Sequence, residues 1–275
     1  MNKNSLLNKI RNQNGQALLI VVLVMVVALT VGLSIASKSI TSFRSSTEQA
    51  SSQKALSAAE AGIEQALKTN VSIGVDSPIK LGDANYQTTV NQVDGTTFLL
   101  DGGNPVMQSS GIDLWLTTYP KDNPNDPTKF YQPPYYPGSF SVYWGDSSGE
   151  CNNAALEVVL MSGSKNSPIM SRYAFDPCPD RQGNNHFTTP DSGTTVAGRT
   201  FAYRATITAT NGLIARIVPL YYSAIIGIIG TDAFPSQGTV ITSVGSSGTS
   251  ERRVNVYQGY PELPVEYYLY NLFLP

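Results

Sequence analysis

Few residues in this chain are equipped for chemistry. The 275 residues include one histidine, His186, and two cysteines, Cys151 and Cys178. A zinc site of the usual Cys/His kind would take nearly all of them, so no metal centre is expected. His186 lies in DRQGNNHFTTPDSG, a turn-rich stretch where a lone histidine is ordinarily a solvated polar residue. Serine and aspartate are abundant, which makes His186 the one handle for a surface hydrolase. The sequence has no Walker loop or HExxH. No catalytic residue is assigned, and neither enzymatic activity nor a cofactor is expected. Asp122, Asn123, Asn125 and Asp126 offer oxygens to calcium, but they lack the DxDxDG spacing and distal Glu of an EF-hand. Turn formation is the role expected of them. A net charge of -2 with 14% charged residues provides no clustered basic face for nucleic acid.

The elements that would carry any function begin at the N-terminus. No residue from Ala17 to Ala36 is charged, and only Thr30, Gly32 and Ser34 interrupt the apolar run. A bilayer core of about 30 Å needs roughly 20 such residues in a helix. A cleaved secretory signal has a shorter apolar core, about 7–15 residues. Lys3, Lys9 and Arg11 precede the run and place the N-terminus in the cytoplasm. Lys38 and Arg44 beyond it weaken that asymmetry without reversing it.

Past Ser37 there is no Gly until Gly62 and no Pro until Pro78. Ile40, Phe43, Thr47 and Ala50 fall at helical spacing, as do Leu56, Ala59, Ile63, Ala66 and Leu67. The segment 38–52 is rich in Ser and Thr and would be a marginal helix alone. Two readings stand at this level. One is a continuous helix over 17–69, about 80 Å long. The other is a membrane helix, a flexible Ser-rich stalk and a short helix at 53–68.

The order of a basic leader ending in Gly15, an apolar helix and an extension carrying SAAEAGIEQA (57–66) resembles the type IV pilin-like proteins. The likeness is greatest to the PilX-like minor pilins and the K-type minor pseudopilins of type II secretion. It covers roughly the first 70 residues. It implies a leader at 1–15, cleavage between Gly15 and Gln16 by a prepilin peptidase, a transmembrane helix at 16–37 and an amphipathic extension at 38–69. It further implies other pilin or pseudopilin subunits as partners, and a membrane engaged through residues 17–36. Ala28, Gly32, Ser34 and Ala36 would permit close helix approach. Two positions depart from the family pattern. Gln16 stands where the mature chain of major pilins usually begins with Phe or another apolar residue, and Ile20 stands where they carry Glu. In the family that acid pairs with the amino terminus of an adjacent subunit. Its loss suits a minor, tip-located or initiating subunit, and equally a protein that never assembles. The competing function is an unprocessed, signal-anchored extracellular binding or adhesion module. Either way the expected location is a single-pass cytoplasmic (inner) membrane protein with its head outside. After processing, a pilin-like chain would reach a filament or the cell surface.

From about residue 70 to 275 the pattern changes to short runs of period two, which predicts an α+β protein with a β-rich, mostly antiparallel extracytoplasmic head. Strands are expected at 86–93, 96–100, 112–119, 139–145, 154–162, 168–175, 200–209, 213–221, 223–230, 238–246 and 252–259. Asp94-Gly95 and Asn211-Gly212 read as two-residue hairpin turns. The Pro- and Tyr-rich stretch 119–138 reads as one long surface loop rather than a linker between lobes. Its Tyr131, Tyr135 and Tyr136 either form a contact surface or pack on the head's own sheet. Cys151 and Cys178, outside the membrane on this topology, are expected to form a disulfide.

Overall fold

The computed structural model describes residues 13–119, 134–164 and 167–263. Residues 1–12 of the expected leader, together with Asp122, Asn123, Asn125, Asp126 and Tyr131, lie outside the described residues.

Helix α1 (Gln13–Thr69) is unbroken over 57 residues, about 86 Å at 1.5 Å per residue. The continuous reading therefore holds, and 38–52 is helix rather than a flexible stalk. No Pro or Gly interrupts that segment, and its threonines turn their hydroxyls back onto the helix. Thr41 Oγ1 donates to the Ser37 carbonyl and Thr47 Oγ1 to the Phe43 carbonyl, each at 2.9 Å. The helix ends at Asn70, whose left-handed φ of 52° lets its N–H reach the Ala66 carbonyl at 2.7 Å.

Among the described residues, fifteen strands, one short α-helix and short 3-10 turns at Leu100–Gly103 and Glu150–Asn152 follow. The strands before residue 150 are β1 (Ile79–Leu81), β2 (Ala84–Gln92), β3 (Gly95–Leu99), β4 (Ile112–Trp115) and β5 (Ser139–Trp144). Next come β6 (Ala155–Ser164), β7 (Ser167–Phe175), α2 (Pro179–Asn185), β8 (Asp191–Ser192), β9 (Thr195–Val196) and β10 (Arg199–Thr200). The chain closes with β11 (Tyr203–Thr208), β12 (Gly212–Leu220), β13 (Gly227–Phe234), β14 (Gly238–Ser247) and β15 (Ser250–Gly259).

Three main antiparallel sheets result, with orders β1-β2-β14-β15, β3-β13-β5-β11-β8 and β4-β12-β6-β7, plus the β9-β10 hairpin. The first sheet lies against α1. The other two face each other as a sandwich, with a core of Phe140, Val142 and Trp144 against Leu156, Val158 and Ile217. The helix-bearing sheet is thus assembled from both ends of the chain, and the sandwich (93–237) is inserted between β2 and β14. The two crossing segments are bonded to each other: Val93 N–H donates to the Gly238 carbonyl at 3.0 Å, and Gln237 N–H to the Val93 carbonyl at 2.7 Å.

The two expected hairpins do not form. β2 pairs with β1 and β14, while β3 pairs with β13. β11 pairs with β5 and β8, while β12 pairs with β4 and β6. Asn211 does adopt the left-handed φ, at 56°, but the turn carries the chain from one sandwich layer to the other. Ala205 and Ile207 on β11 and Ala215 and Ile217 on β12 belong to one core. They meet face to face across it instead of lying side by side. Of the stretch 119–138, which lies between β4 and β5, residues 120–133 are outside the described residues. Tyr136 is core: its ring stacks on Phe234 at 4.7 Å and its hydroxyl donates to the Asp232 carbonyl at 3.1 Å. Tyr135 packs on a second apolar cluster around Trp115 and Ile214.

Candidate functional site: the long helix and its seat on the sheet

Gly15 and Gln16 lie within the first turn of α1, followed directly by the apolar run. Every residue from Ala17 to Ala50 is exposed, including Leu19, Val22, Met25, Ile35 and Phe43. This portion is long and apolar enough to cross a membrane. At 100° per residue, Ala28, Gly32 and Ala36 recur every fourth position and share one face. Ser34, two residues from Gly32 and two from Ala36, lies on the opposite side. A Cβ added to Gly32 would meet nothing within 4 Å, so within one chain this glycine packs against no neighbour.

The lower part of α1 is held very differently. Ala55, Ala58, Ala59, Gly62, Ile63 and Ala66 are buried against the first sheet. Leu56 and Leu67, expected on this stripe, are instead 41% and 40% exposed. The buried stripe is built from small residues because the helix backbone itself rests on the sheet. A Cβ on Gly245 of β14 would stand 1.9 Å from the Ala55 carbonyl oxygen and 2.6 Å from the Ala59 nitrogen. A Cβ on Gly62 would stand 2.4 Å from both Ser243 Oγ and Thr88 Oγ1. Those two hydroxyls satisfy each other, Thr88 donating to Ser243 at 2.9 Å in the buried interface. Tyr86 donates its hydroxyl to Gln65 Oε1. Ile63 and Ala66 complete the seat with Ile241, Val90 and Val254. At the margin Lys54 Nζ reaches Asp83 Oδ2 at 2.9 Å and holds that exposed carboxyl below its ordinary value. Arg252 Nε donates to Ser52 Oγ at 2.8 Å.

Cys151 and Cys178 form the expected disulfide, which ties the segment before β6 to the start of α2. Beside it Asp176 is fully buried. Arg181 donates Nε to both of its carboxylate oxygens, at 3.1 and 3.0 Å, and Nη2 to Oδ1 at 2.7 Å. Arg181 also donates to the carbonyls of Cys151 and Asn153. Burial opposes ionisation of Asp176. Hydrogen bonds from Arg181, the Cys178 N–H and Asn185, with the Arg181 charge, outweigh it and hold the carboxyl below its ordinary value. Among the described residues, the one set of three ligand-type groups within 4.8 Å is Cys151, Cys178 and Asp180; with both sulfurs in the disulfide it offers no thiolate. His186 is exposed and caps α2, with a φ of 56° and its N–H on the Gln182 carbonyl at 3.0 Å.

The small-residue seat was not singled out by periodicity alone. The crowding of Ala58, Ala59, Ala61 and Gly62 within five residues signals it, as does an isolated Gly245 inside a period-two strand. Comparison of the chain with protein-family models, curated proteins and solved structures found no match.

Proposed function

We propose that this protein is a minor pilin or pseudopilin, which enters a type IV pilus or a type II secretion-like pseudopilus through α1 and presents its β-rich head outward. The observation that carries the reading is a division within one rigid helix. Its lower half is locked onto the head at backbone contact. Its upper half, 17–50, is exposed along its whole length, with an apolar run at the far end. An anchor alone needs about 20 apolar residues. It needs neither a rigid continuation of the helix nor a face of small residues. Helices packed together in a filament would use both. The basic leader, the Gly15–Gln16 junction and the SAAEAG segment support a prepilin peptidase as processing enzyme and other pilin-like subunits as partners.

Gly32→Leu tests the packing role separately from the fold. Gly32 touches nothing in the single chain, and Leu is a better helix former than Gly by roughly 0.5–1 kcal/mol. The expected result is unchanged membrane insertion and an unchanged head, with at least about a tenfold loss from sheared filament fractions. Undiminished recovery in those fractions would count against helix packing through this face. The departures at Gln16 and Ile20 favour one second reading, a signal-anchored extracellular binding module that keeps its leader and never assembles.

A further inference from the structure

A cleft of about 220 Å³ opens at one end of the sandwich, where several connections between strands meet. Pro105 comes from the segment before β4, and Asp146 and Asn152 from the β5–β6 connection. Arg199 lies on β10, Phe201 just after it, and Ile225 in the β12–β13 connection. The walls are fixed from beneath. Buried Asn153 accepts the Asp146 N–H on Oδ1 at 2.9 Å and donates Nδ2 to the carbonyls of Asp146 and Gly149 at 3.0 and 2.9 Å. Val106 and Ala224 exchange backbone hydrogen bonds of 2.8 and 3.0 Å.

Asp146 and Arg199 share this cleft, yet among the described residues neither enters an ion pair. Hydrogen bonds from the Ser148 side chain and N–H, and after them the Arg199 charge, hold the Asp146 carboxyl below its ordinary value. The Arg199 guanidinium lies over the Phe201 ring, 5.8 Å from its centroid. A carboxylate accepts at several positions and a guanidinium donates from several N–H groups, so each has capacity left for a ligand. Exposed Tyr221 and Tyr222 immediately precede Ser223, which lines the cleft. Tyr221 has a left-handed φ of 69°, rare for a bulky residue. Its ring is held by the Arg181 guanidinium, 4.5 Å from the centroid, and by Asn185 Nδ2, which donates to its hydroxyl at 3.4 Å. Strain of this kind persists where the surroundings over-determine it, and it clusters at ligand-binding sites.

The chemistry of the walls selects the ligand. An anion would meet the Asp146 carboxylate and a cation the Arg199 guanidinium, so neither is favoured. A hydroxyl is both donor and acceptor, and a pair of neighbouring hydroxyls can donate to Asp146 while accepting from Arg199. Pro105, Phe201 and Ile225 supply apolar wall, and Tyr222 beside them an exposed aromatic ring, which suit the C–H face of a sugar ring. Pockets for whole small ligands run roughly 300–1,000 Å³. The smaller volume here fits one ring of a longer chain.

We propose that this cleft binds one neutral sugar unit of a glycan chain, with Asp146 and Arg199 holding its hydroxyls and Tyr222 contacting the adjoining unit. The site does not depend on the filament role assigned to α1. The test is calorimetric titration of the full chain in micelles of a detergent without a sugar head group. The probes are maltotriose, lactose, tri-N-acetylchitotriose and the capped tripeptide acetyl-Ala-Leu-Ala-amide. The expected result is saturable one-to-one binding of at least one of the sugars. Arg199→Gln and Tyr222→Ala should each weaken it about tenfold, the loss of one good contact. Both residues are exposed, so both variants should melt as the parent does. Absence of saturable binding by every sugar, or unchanged affinity in both variants, would overturn the proposal. Tighter binding of the tripeptide than of any sugar would also overturn it, and would assign the surface to a protein partner.

Discussion

Single residues decide how α1 meets the head. At Gly245 the sheet and helix backbones approach so closely that one methyl has no room, and the nearest atoms are backbone rather than yielding side chains. Gly245→Ala is therefore expected to destabilise the head by about 1–3 kcal/mol, as overpacking does. Thermal unfolding followed by circular dichroism would register it as a lowered melting temperature. Asp176 makes a second prediction at this scale. Its folded pKa lies below its unfolded value of about 3.9, because Arg181, the Cys178 N–H and Asn185 favour the charged form. The stability it contributes is present above about pH 4 and is lost as pH falls through the folded value. Asp176→Asn should remove that part of the acid dependence. It should also cost about 3–5 kcal/mol near neutral pH, because Arg181 is left without its buried partner. Denaturant titrations of both proteins between pH 2 and 7 would check the two statements together. Of the residues around Asp176 only the cysteine pair was legible in the sequence, since two cysteines expected outside a membrane have one another as the available partner. Asp176 and Arg181 look like any polar pair in a turn-rich stretch, and nothing in their spacing marks them as buried.

At the scale of elements, the positions of the longer strands were legible and their pairing was not. Period-two alternation shows that a strand has a buried face, and nearly every longer strand falls within a few residues of the expected place. It does not identify the neighbour. Gly95 and Asn211 do adopt the positive φ that a hairpin turn uses, yet one such residue also serves a crossing between sheets. What overrides the local signal is burial. β12 is buried along most of its length and is a central strand between β4 and β6, which leaves no edge for β11. The shortest strands, β1 and β8–β10, gave no periodic signal because two or three residues make no period, and α2, PDRQGNN, has no apolar stripe to show one. The stripe on α1 was misjudged at Leu56 and Leu67 for a related reason: large apolar residues were expected to mark the packed face, whereas a helix resting on sheet backbone buries its small ones. The disulfide belongs to this scale too, because it fastens two loops 27 positions apart. Cys151→Ser, compared with the oxidised parent, should lower the unfolding free energy by about 2–4 kcal/mol. Urea titration with and without reductant would show the difference, and the variant should be insensitive to the reductant.

At the scale of the whole molecule, the helix seat and the sandwich are built from different parts of the chain. The helix and first sheet are made from its two ends, and the sandwich is an insertion whose entry and exit are bonded to each other at Val93 and Gly238. A head of this kind can vary its outer body without moving the helix seat. The α+β character and the long helix were evident from the apolar run and the missing helix breakers. The insertion was not, because β2 and β14 are separated by more than a hundred residues that look alike in pattern. The central claim, that α1 is processed at Gly15 and packs in a filament, is tested most directly by intact mass and N-terminal sequencing of the protein from its native envelope, alongside a Gly15→Leu variant. The account predicts a chain beginning at Gln16 in the parent and a chain retaining its leader in the variant. A parent chain still beginning at Met1, or the same mature N-terminus in both proteins, would contradict it.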